Sequence, residues 1–284
     1  MAIEDGGFME IYILGLVSVS AHGGRTEIRA NKVRAMLATL ALDAGKAIAH
    51  VELADELWSG QPVGNTLNAL QATATRIRKV LDDPGSSPKS PTVLRAVRNG
   101  YLLDVPPACV DGNRFLDLAA QGSAMLHNQP EQALELLQSS LELWRGPALL
   151  DAGDGLRCRG AAALYDERRM TVWEDLISAR LAVGDERQAI SELQQLTAQY
   201  PLRERFCELL MLALYRTGRQ GEALDVFQTT WRRLDEELAV QPGIPLQRRH
   251  AEILAQDPAL TDPSAVWSGH RAPGARGLDL LRAP

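Results

Sequence analysis

Residues 64–101 read GNTLNALQATATRIRKVLDDPGSSPKSPTVLRAVRNGY, and this stretch decides how the first part of the 284-residue chain is interpreted. Its pattern predicts a helix over Thr66–Leu81, capped by Asn65 or Thr66, then a loop. A hairpin follows, with Asn99-Gly100 as the dipeptide expected at a type I′ turn. A helix with a polar face followed by a basic two-stranded tip is typical of a winged helix that binds duplex DNA.

The predicted helix has two different faces when it is drawn at about 100° per residue. The apolar face, which we expect to be buried, contains Leu67, Leu70, Ala74, Ile77 and Leu81. The opposite face contains Asn68, Gln71, Ala72, Thr75, Arg76 and Lys79. Arginine suits guanine, glutamine or asparagine suits adenine, and an alanine methyl suits the thymine methyl. Thr73 and Arg78 flank this face, where we expect contacts to phosphate oxygens.

The hairpin after the helix carries two arginines beside its turn. Arg95 and Arg98 frame the tip, where a guanidinium can enter a minor groove next to the helix. Taken alone, the helix is equally compatible with a solvated face that has no partner. A helix and a wing in this order favour DNA binding over that reading.

The segments before the helix complete a compact N-terminal domain. Residues 10–19 are rich in β-branched and aliphatic side chains, which predicts two or three short antiparallel strands up to about Arg29. A helix capped by Asn31 follows and ends at Gly45. A second helix covers His50–Trp58, and we expect its apolar side chains, Leu53, Leu57 and Trp58, to face inward.

From Asp111 to about Ala255 the pattern is helical and partly repetitive. The pairs that lie 34 residues apart are Gly184 and Gly218, Ala189 and Ala223, Ile190 and Leu224, and Leu193 and Phe227. This is the period of tetratricopeptide repeats, and Pro201 separates the two units. Residues 132–137, QALELL, resemble an earlier copy. Three helix pairs are therefore expected to stack into a small solenoid.

The sequence thus predicts a mostly α-helical protein with a small β component. A leader over residues 1–8 precedes a winged helix-turn-helix domain over residues 9–107. A tetratricopeptide-like, all-helical domain covers residues 108–257, and residues 258–284, rich in proline, glycine and alanine, are expected to be disordered.

The net charge of −6 is unevenly distributed along the chain. Residues 1–107 contain 11 basic and 11 acidic residues, whereas residues 108–257 contain 16 basic and 23 acidic residues. Residues 65–100 contain six basic residues and only two acidic residues. The positive field is therefore local to the predicted helix and wing, as DNA binding requires.

Other classes of function have little support in the residues. Cys109, Cys158 and Cys207 have no spacing typical of a metal site or a disulfide framework, and the five histidines are scattered. We expect no metal, no cofactor and no catalytic residues. No apolar run reaches membrane-spanning length, so we expect a cytoplasmic, nucleoid-associated protein.

Several motifs resemble a known family. LNALQ (67–71), RIRKVL (76–81) and NGYLL (99–103) resemble the winged helix of OmpR-type response regulators, and more closely that of Streptomyces antibiotic regulatory proteins. Segments LWRGPAL (143–149), YPLRER (200–205) and LALYRTGRQ (212–220) are similar to that family's bacterial transcriptional activator domain. The resemblance covers about residues 10–258.

This resemblance implies where contacts with double-stranded promoter DNA should fall. By the resemblance, base contacts are expected from Gln71, Ala72 and Arg76, backbone contacts from Thr73, Thr75 and Arg78, and a minor-groove contact from Arg98. From the helix face and the hairpin themselves, we add Asn68 as a base contact, Thr66 and Lys79 as backbone contacts, and Arg95 and Asn99 as wing contacts. Thr75 departs from the pattern, because many relatives carry arginine there. The wing is also one residue shorter than in response regulators.

The resemblance further implies a pathway-specific activator of secondary-metabolite (antibiotic) biosynthesis genes. Such an activator binds direct repeats near the promoter −35 region and recruits RNA polymerase through its sigma region and other subunits. Self-association is then expected on the tandem sites. The alternative from a different class is a tetratricopeptide-like adaptor that binds a protein or peptide and no DNA.

Overall fold

The computed structural model describes residues 9–21, 24–58, 64–81 and 92–267. The chain divides into two compact units. Unit 1 comprises residues 1–120 and 138–171, and unit 2 comprises residues 121–137 and 172–284. Three predicted segments lie outside the described residues: the leader over residues 1–8, the loop between the helix and the hairpin (residues 82–91), and residues 268–284 of the tail. The domain boundary at residue 107 stays a prediction.

Unit 1 begins with the predicted antiparallel strands. These are β1 (Glu10–Tyr12), β2 (Ser18–Ala21) and β3 (Gly24–Glu27), hydrogen-bonded in that order. Ile11 and Val19 are paired across β1 and β2 and fully buried, so this sheet covers one side of the unit 1 core.

Three helices and a fourth strand follow: α1 (Asn31–Leu42), β4 (Ala47–Ala49), α2 (His50–Trp58) and α3 (Thr66–Leu81). The prediction that Asn31 caps α1 is wrong, because Ala30 holds the cap position and the Asn31 side chain accepts a bond from Arg34 instead. Asn65 does cap α3, since its Oδ1 accepts the Asn68 N–H at 3.0 Å.

The second sheet contains β4, β5 (Leu94–Val97) and β6 (Gly100–Leu103), in the order β4-β6-β5. The predicted hairpin exists, but its register differs: Val97 pairs with Gly100, so the turn is Arg98-Asn99. Neither turn residue has a positive φ, which excludes the predicted type I′ turn. Glycine is needed at position 100 for another reason. A Cβ there would overlap the carbonyl oxygen of Ile48 in β4, a strand that the sequence analysis missed.

A later segment of the chain completes unit 1. The backbone N–H groups of Arg145 and Leu149 donate to the carbonyls of Leu14 and Ile13, at 2.9 and 2.7 Å. The buried Asp111 carboxylate accepts the N–H groups of Ile13 and Leu14 and binds the Arg145 guanidinium. The WRGPAL segment therefore packs as part of the fold, because these bonds satisfy buried backbone groups.

The remaining helices are α4 (Asp111–Met125), α5 (Pro130–Glu142), α6 (Leu156–Ala182), α7 (Glu186–Gln199), α8 (Glu204–Arg216), α9 (Gln220–Leu238) and α10 (Ile244–Leu254). In unit 2 the structure supports the two predicted copies that lie 34 residues apart, and the third copy at residues 132–137 stays a prediction. Gly184 and Gly218 occupy equivalent turns with φ of 83° and 78°, and Ala189 and Ala223 are both fully buried. None of the helices in the described ranges is long and apolar enough to cross a membrane.

The prediction of disorder from residue 258 onward is wrong for its first ten residues. Two 3₁₀ turns, Pro258–Thr261 and Pro263–Trp267, continue the fold of unit 2. Leu260 and Val266 are buried within it, because arginines of α8 and α10 bind the carbonyl groups of this segment. The prediction relied on composition, which shows few aliphatic residues in this segment. The segment is nevertheless ordered, because arginine side chains from α8 and α10 bind its backbone.

Candidate nucleic-acid interface

The outer face of α3 is open along its length. The side chains of Asn68, Gln71, Ala72, Thr75, Arg76 and Lys79 are all exposed, as predicted. The helix contains three basic residues and no acidic one. Arg76 and Lys79 form no ion pair with any other described residue. An open helix of 16 residues, about 24 Å long, with polar and basic side chains is suited to lie in a major groove.

The buried face of α3 is rotated slightly from the predicted one. Leu70, Ala74, Ile77 and Leu81 are buried as expected, but Leu67 is 46% exposed. Thr73 is only 7% exposed and its hydroxyl donates to the Ala69 carbonyl at 2.8 Å. Thr73 therefore lies on the buried side of α3, and its contact with a phosphate stays a prediction.

Leu67 belongs to the exposed surface of α3, whereas Thr73 does not. It lies in the first turn of α3, beside Asn68, where an apolar side chain could meet a thymine methyl or a sugar. The sequence carried one signal for this, because the Asn65 cap places Leu67 in the first, outermost turn of the helix. Thr66 in the same turn is half-buried.

Arg78 connects α3 to the wing. Its side chain is half-buried, and Nε donates to the Leu94 carbonyl in β5 at 3.0 Å. The bond holds part of the guanidinium against the protein. Arg78 therefore fixes the wing relative to α3, and any phosphate contact must use its remaining N–H groups.

The wing carries one paired arginine and one arginine without an ion pair to a described residue. Arg95 binds Asp104 at 2.8 Å, with both side chains more than half exposed. Arg98 and Asn99 form the exposed turn. Among the predicted wing contacts, Arg98 is therefore better placed than Arg95 to reach a DNA groove.

A buried carboxylate positions α2, the helix that packs against α3. Glu56 is 7% exposed, and its oxygens accept the backbone N–H groups of Arg157 and Cys158 at 2.9 and 2.8 Å. Both N–H groups belong to the first turn of α6, which has no helical acceptor for them, so Glu56 caps that helix from α2. A Cβ at Gly155 would overlap this carboxylate, which explains the glycine before α6.

Large side chains in the three segments that resemble the activator domain have structural contacts. Trp144 packs edge-on against Phe115 with ring centroids 5.3 Å apart, and the Arg169 guanidinium lies over its ring. Arg203 and Arg219 pair with acidic residues of unit 2. Within the described ranges there is no group of three potential ligands that could hold a metal ion.

Comparison with known proteins shows that the chain is similar to transcriptional regulators. The profile of the bacterial transcriptional activator domain matches residues 110–254. The chain is 58% identical to transcriptional regulator RedD of Streptomyces coelicolor, over 96% of this chain and 78% of RedD. It is 34% identical to regulatory protein DnrI of Streptomyces peucetius, over 89% of this chain and 94% of DnrI.

A solved structure has the same fold. This is Mycobacterium tuberculosis EmbR in complex with a low-affinity phosphopeptide, which matches with a TM-score of 0.84 and 27% identity, over 92% of this chain and 69% of that one. The match extends over both the winged-helix and the helical parts. From these matches and the domain profile, the chain belongs to the Streptomyces antibiotic regulatory protein family of transcriptional activators.

Proposed function

We propose that this protein is a sequence-specific DNA-binding activator that controls genes of secondary-metabolite biosynthesis from their promoters. The observation that carries the proposal is the outer face of α3, exposed and free of acidic residues, next to a wing whose turn residue Arg98 is exposed. Family membership supports the same reading. The helical domain has a net negative charge, which favours a role in protein contacts over phosphate contacts.

In this proposal, α3 lies in a major groove and the Arg98 side chain enters the neighbouring minor groove. Asn68, Gln71, Ala72 and Arg76 would meet base edges, and Leu67 would add an apolar contact. Thr75, Lys79, Thr66 and the outer N–H groups of Arg78 would meet the sugar-phosphate backbone. Asn99 supports the wing turn, because its carbonyl accepts the His50 N–H at 2.7 Å.

We further propose that two copies bind direct repeats near the −35 region and together recruit RNA polymerase, through its sigma region and other subunits. Direct repeats require head-to-tail rather than two-fold contact between copies, so association would depend on DNA. The protein would act in the cytoplasm, at the nucleoid.

The first experiment is a gel-retardation assay with promoter fragments from the protein's own gene neighbourhood, at several salt concentrations. The proposal predicts a shift that competitor DNA of random sequence does not remove, and a second shift where two repeats are present. The adaptor alternative predicts no shift at moderate salt. That result would contradict the proposal, because phosphate contacts should survive such conditions in a specific complex.

A further inference from the structure

A pocket of about 460 Å³ lies between α9 and α10 of unit 2, and the loop that joins these helices closes one side of it. The described residues that line it are three aromatic side chains, three glutamines and one proline. Sites for small molecules have this size and this kind of lining, with aromatic walls and a few polar groups. The residues proposed to contact DNA do not line the pocket.

The aromatic side chains form a stacking surface. The Phe227 and His250 rings lie 3.9 Å apart and within 6° of parallel, so they join the two helices. Trp231 lies four residues after Phe227 on α9, and the two rings therefore project from the same side of that helix. The Trp231 side chain is also 38% exposed. An exposed indole beside a parallel ring pair is a surface on which a further flat ring can stack.

The loop between the helices holds this surface in place. Nε1 of Trp231 donates to Oε1 of Gln241 at 2.8 Å, and Nε2 of Gln247 donates to the Pro242 carbonyl at 2.7 Å. Pro242 itself is buried. These bonds tie the loop to both helices, so the pocket exists before any ligand arrives and little ordering is needed on binding.

The polar groups of the pocket are uncharged. Its glutamines are exposed, and each amide can both donate and accept hydrogen bonds. Gln241 and Gln247 use one amide atom each in the bonds to the indole and the loop, and Gln228 forms no hydrogen bond with another described residue. Burial lowers the pKa of His250, so its imidazole is neutral at pH 7. Among the described residues that line the pocket, none is charged at that pH.

This lining favours a neutral ligand over an ion. A charged ligand would lose hydration in the pocket without gaining an opposite charge. A neutral ligand with an amide-type group would replace its hydrogen bonds to water by bonds to the glutamines.

We propose that this pocket binds a small neutral molecule that carries a flat aromatic ring and an amide-type group. The ring would stack on Trp231 beside the Phe227–His250 pair, and the amide-type group would bond with the glutamines of the rim. This is a small-molecule site in the helical domain, separate from the proposed DNA contacts, and it does not depend on the proposed function.

The test uses the full chain without DNA and follows binding by ligand-observed NMR titration. Three indoles of similar size differ in the charge of the side chain: indole-3-acetamide is neutral, tryptamine is a cation and indole-3-acetate is an anion. A fourth compound, cyclohexylacetamide, keeps the amide but has a saturated ring. We expect indole-3-acetamide to bind with a Kd on the order of 1 mM, as for a fragment of this size.

The other three compounds test the charge and the ring separately. Both charged indoles should bind about five-fold more weakly than indole-3-acetamide, because the pocket offers no opposite charge. Cyclohexylacetamide should bind about ten-fold more weakly, because its ring cannot stack. The proposal is overturned if indole-3-acetamide does not saturate, or if a charged indole or cyclohexylacetamide binds as tightly.

Variants locate the binding in this pocket. Trp231→Ala removes the exposed ring and should weaken indole-3-acetamide binding by about ten-fold or more. Tyr200→Ala is the matched control, because Tyr200 is also 38% exposed and lies outside the pocket. Equal weakening by the two substitutions would show that the indole binds elsewhere, and the assignment would be wrong.

Gln228→Glu tests the charge argument without removing a ring. It places a carboxylate at an exposed position of the lining, so tryptamine should bind about three-fold more tightly than to wild type and indole-3-acetate more weakly. Unchanged affinities for both charged indoles would contradict a site lined by Gln228.

Discussion

Arg78 of α3 donates a hydrogen bond from Nε to the main-chain carbonyl of Leu94 in β5, at 3.0 Å. The bond connects the helix proposed to enter the major groove with the first strand of the wing. Arg78→Lys keeps the positive charge but loses the planar donor, so we expect a loss of about 0.5–1.5 kcal/mol in stability. Urea unfolding of the full chain measures this loss. Lys79→Ala, one residue away and exposed, should change stability by less than about 0.5 kcal/mol.

The two wing arginines should differ in their effect on DNA binding. Arg95 is paired with Asp104, whereas Arg98 lies in the open turn. We therefore expect Arg98→Ala to weaken binding to promoter DNA by about 1–3 kcal/mol and Arg95→Ala by less. Asp104→Asn should strengthen binding to DNA of any sequence, because it removes a negative charge and releases Arg95. Fluorescence anisotropy at two salt concentrations measures the DNA affinity of all three variants. A larger loss for Arg95→Ala than for Arg98→Ala would contradict this view of the wing.

Gly100 should tolerate no side chain. Its Cβ would overlap the Ile48 carbonyl between β6 and β4, so Gly100→Ala must separate two paired strands. We expect a loss of at least about 2 kcal/mol, measured by urea unfolding. Gly160→Ala is the control, since this helical glycine is exposed and has open space around it. That substitution should stabilise the protein by about 0.5–1 kcal/mol. Equal effects of the two substitutions would mean that β4 does not pair as described.

Cys158 should be inert until strongly alkaline pH. Burial raises the pKa of its thiol from 9.0 to about 12. Because the folded-state pKa lies above the unfolded one, the stability from this group is fully present below pH 9 and lost as the pH rises towards 12. At pH 8, iodoacetamide should therefore modify the half-exposed Cys109 and spare Cys158 and Cys207, as peptide mass spectrometry can show. Rapid labelling of Cys158 in the native protein would contradict its buried position.

The sequence predicted elements whose signals are local. The period of 3.6 and the Asn65 cap located α3, and the 34-residue spacing of Gly184 and Gly218 identified the helical repeat. What it missed depends on contacts between distant residues. β4 is only three residues long and forms because Gly100 allows its close approach. The 3₁₀ segment after residue 257 is ordered by arginines of α8 and α10, which no local pattern reveals.

The sequence predicted part of the candidate site and missed the parts that depend on contacts between distant residues. The exposed face of α3 followed from its amphipathic pattern, and six of its side chains are exposed as expected. The pattern did not predict that Leu67 would be exposed and Thr73 buried. This arrangement reflects how α3 packs on its neighbours, since a rotation of the helix by a fraction of a turn brings Thr73 inward. The Arg95–Asp104 pair also required the strand register, which places these residues near the same end of the hairpin.

The central claim is that α3 reads DNA sequence, and selection from a pool of genomic fragments followed by footprinting tests it most directly. Wild type should enrich fragments that contain a direct repeat. Arg76→Ala should cost about 1–3 kcal/mol and relax the preference at one base pair of each repeat. Lys79→Ala should weaken binding to all sequences evenly and reduce the salt slope by about one. An Arg76→Ala protein that retains the wild-type sequence preference, or a wild type that enriches no common sequence, would contradict the account.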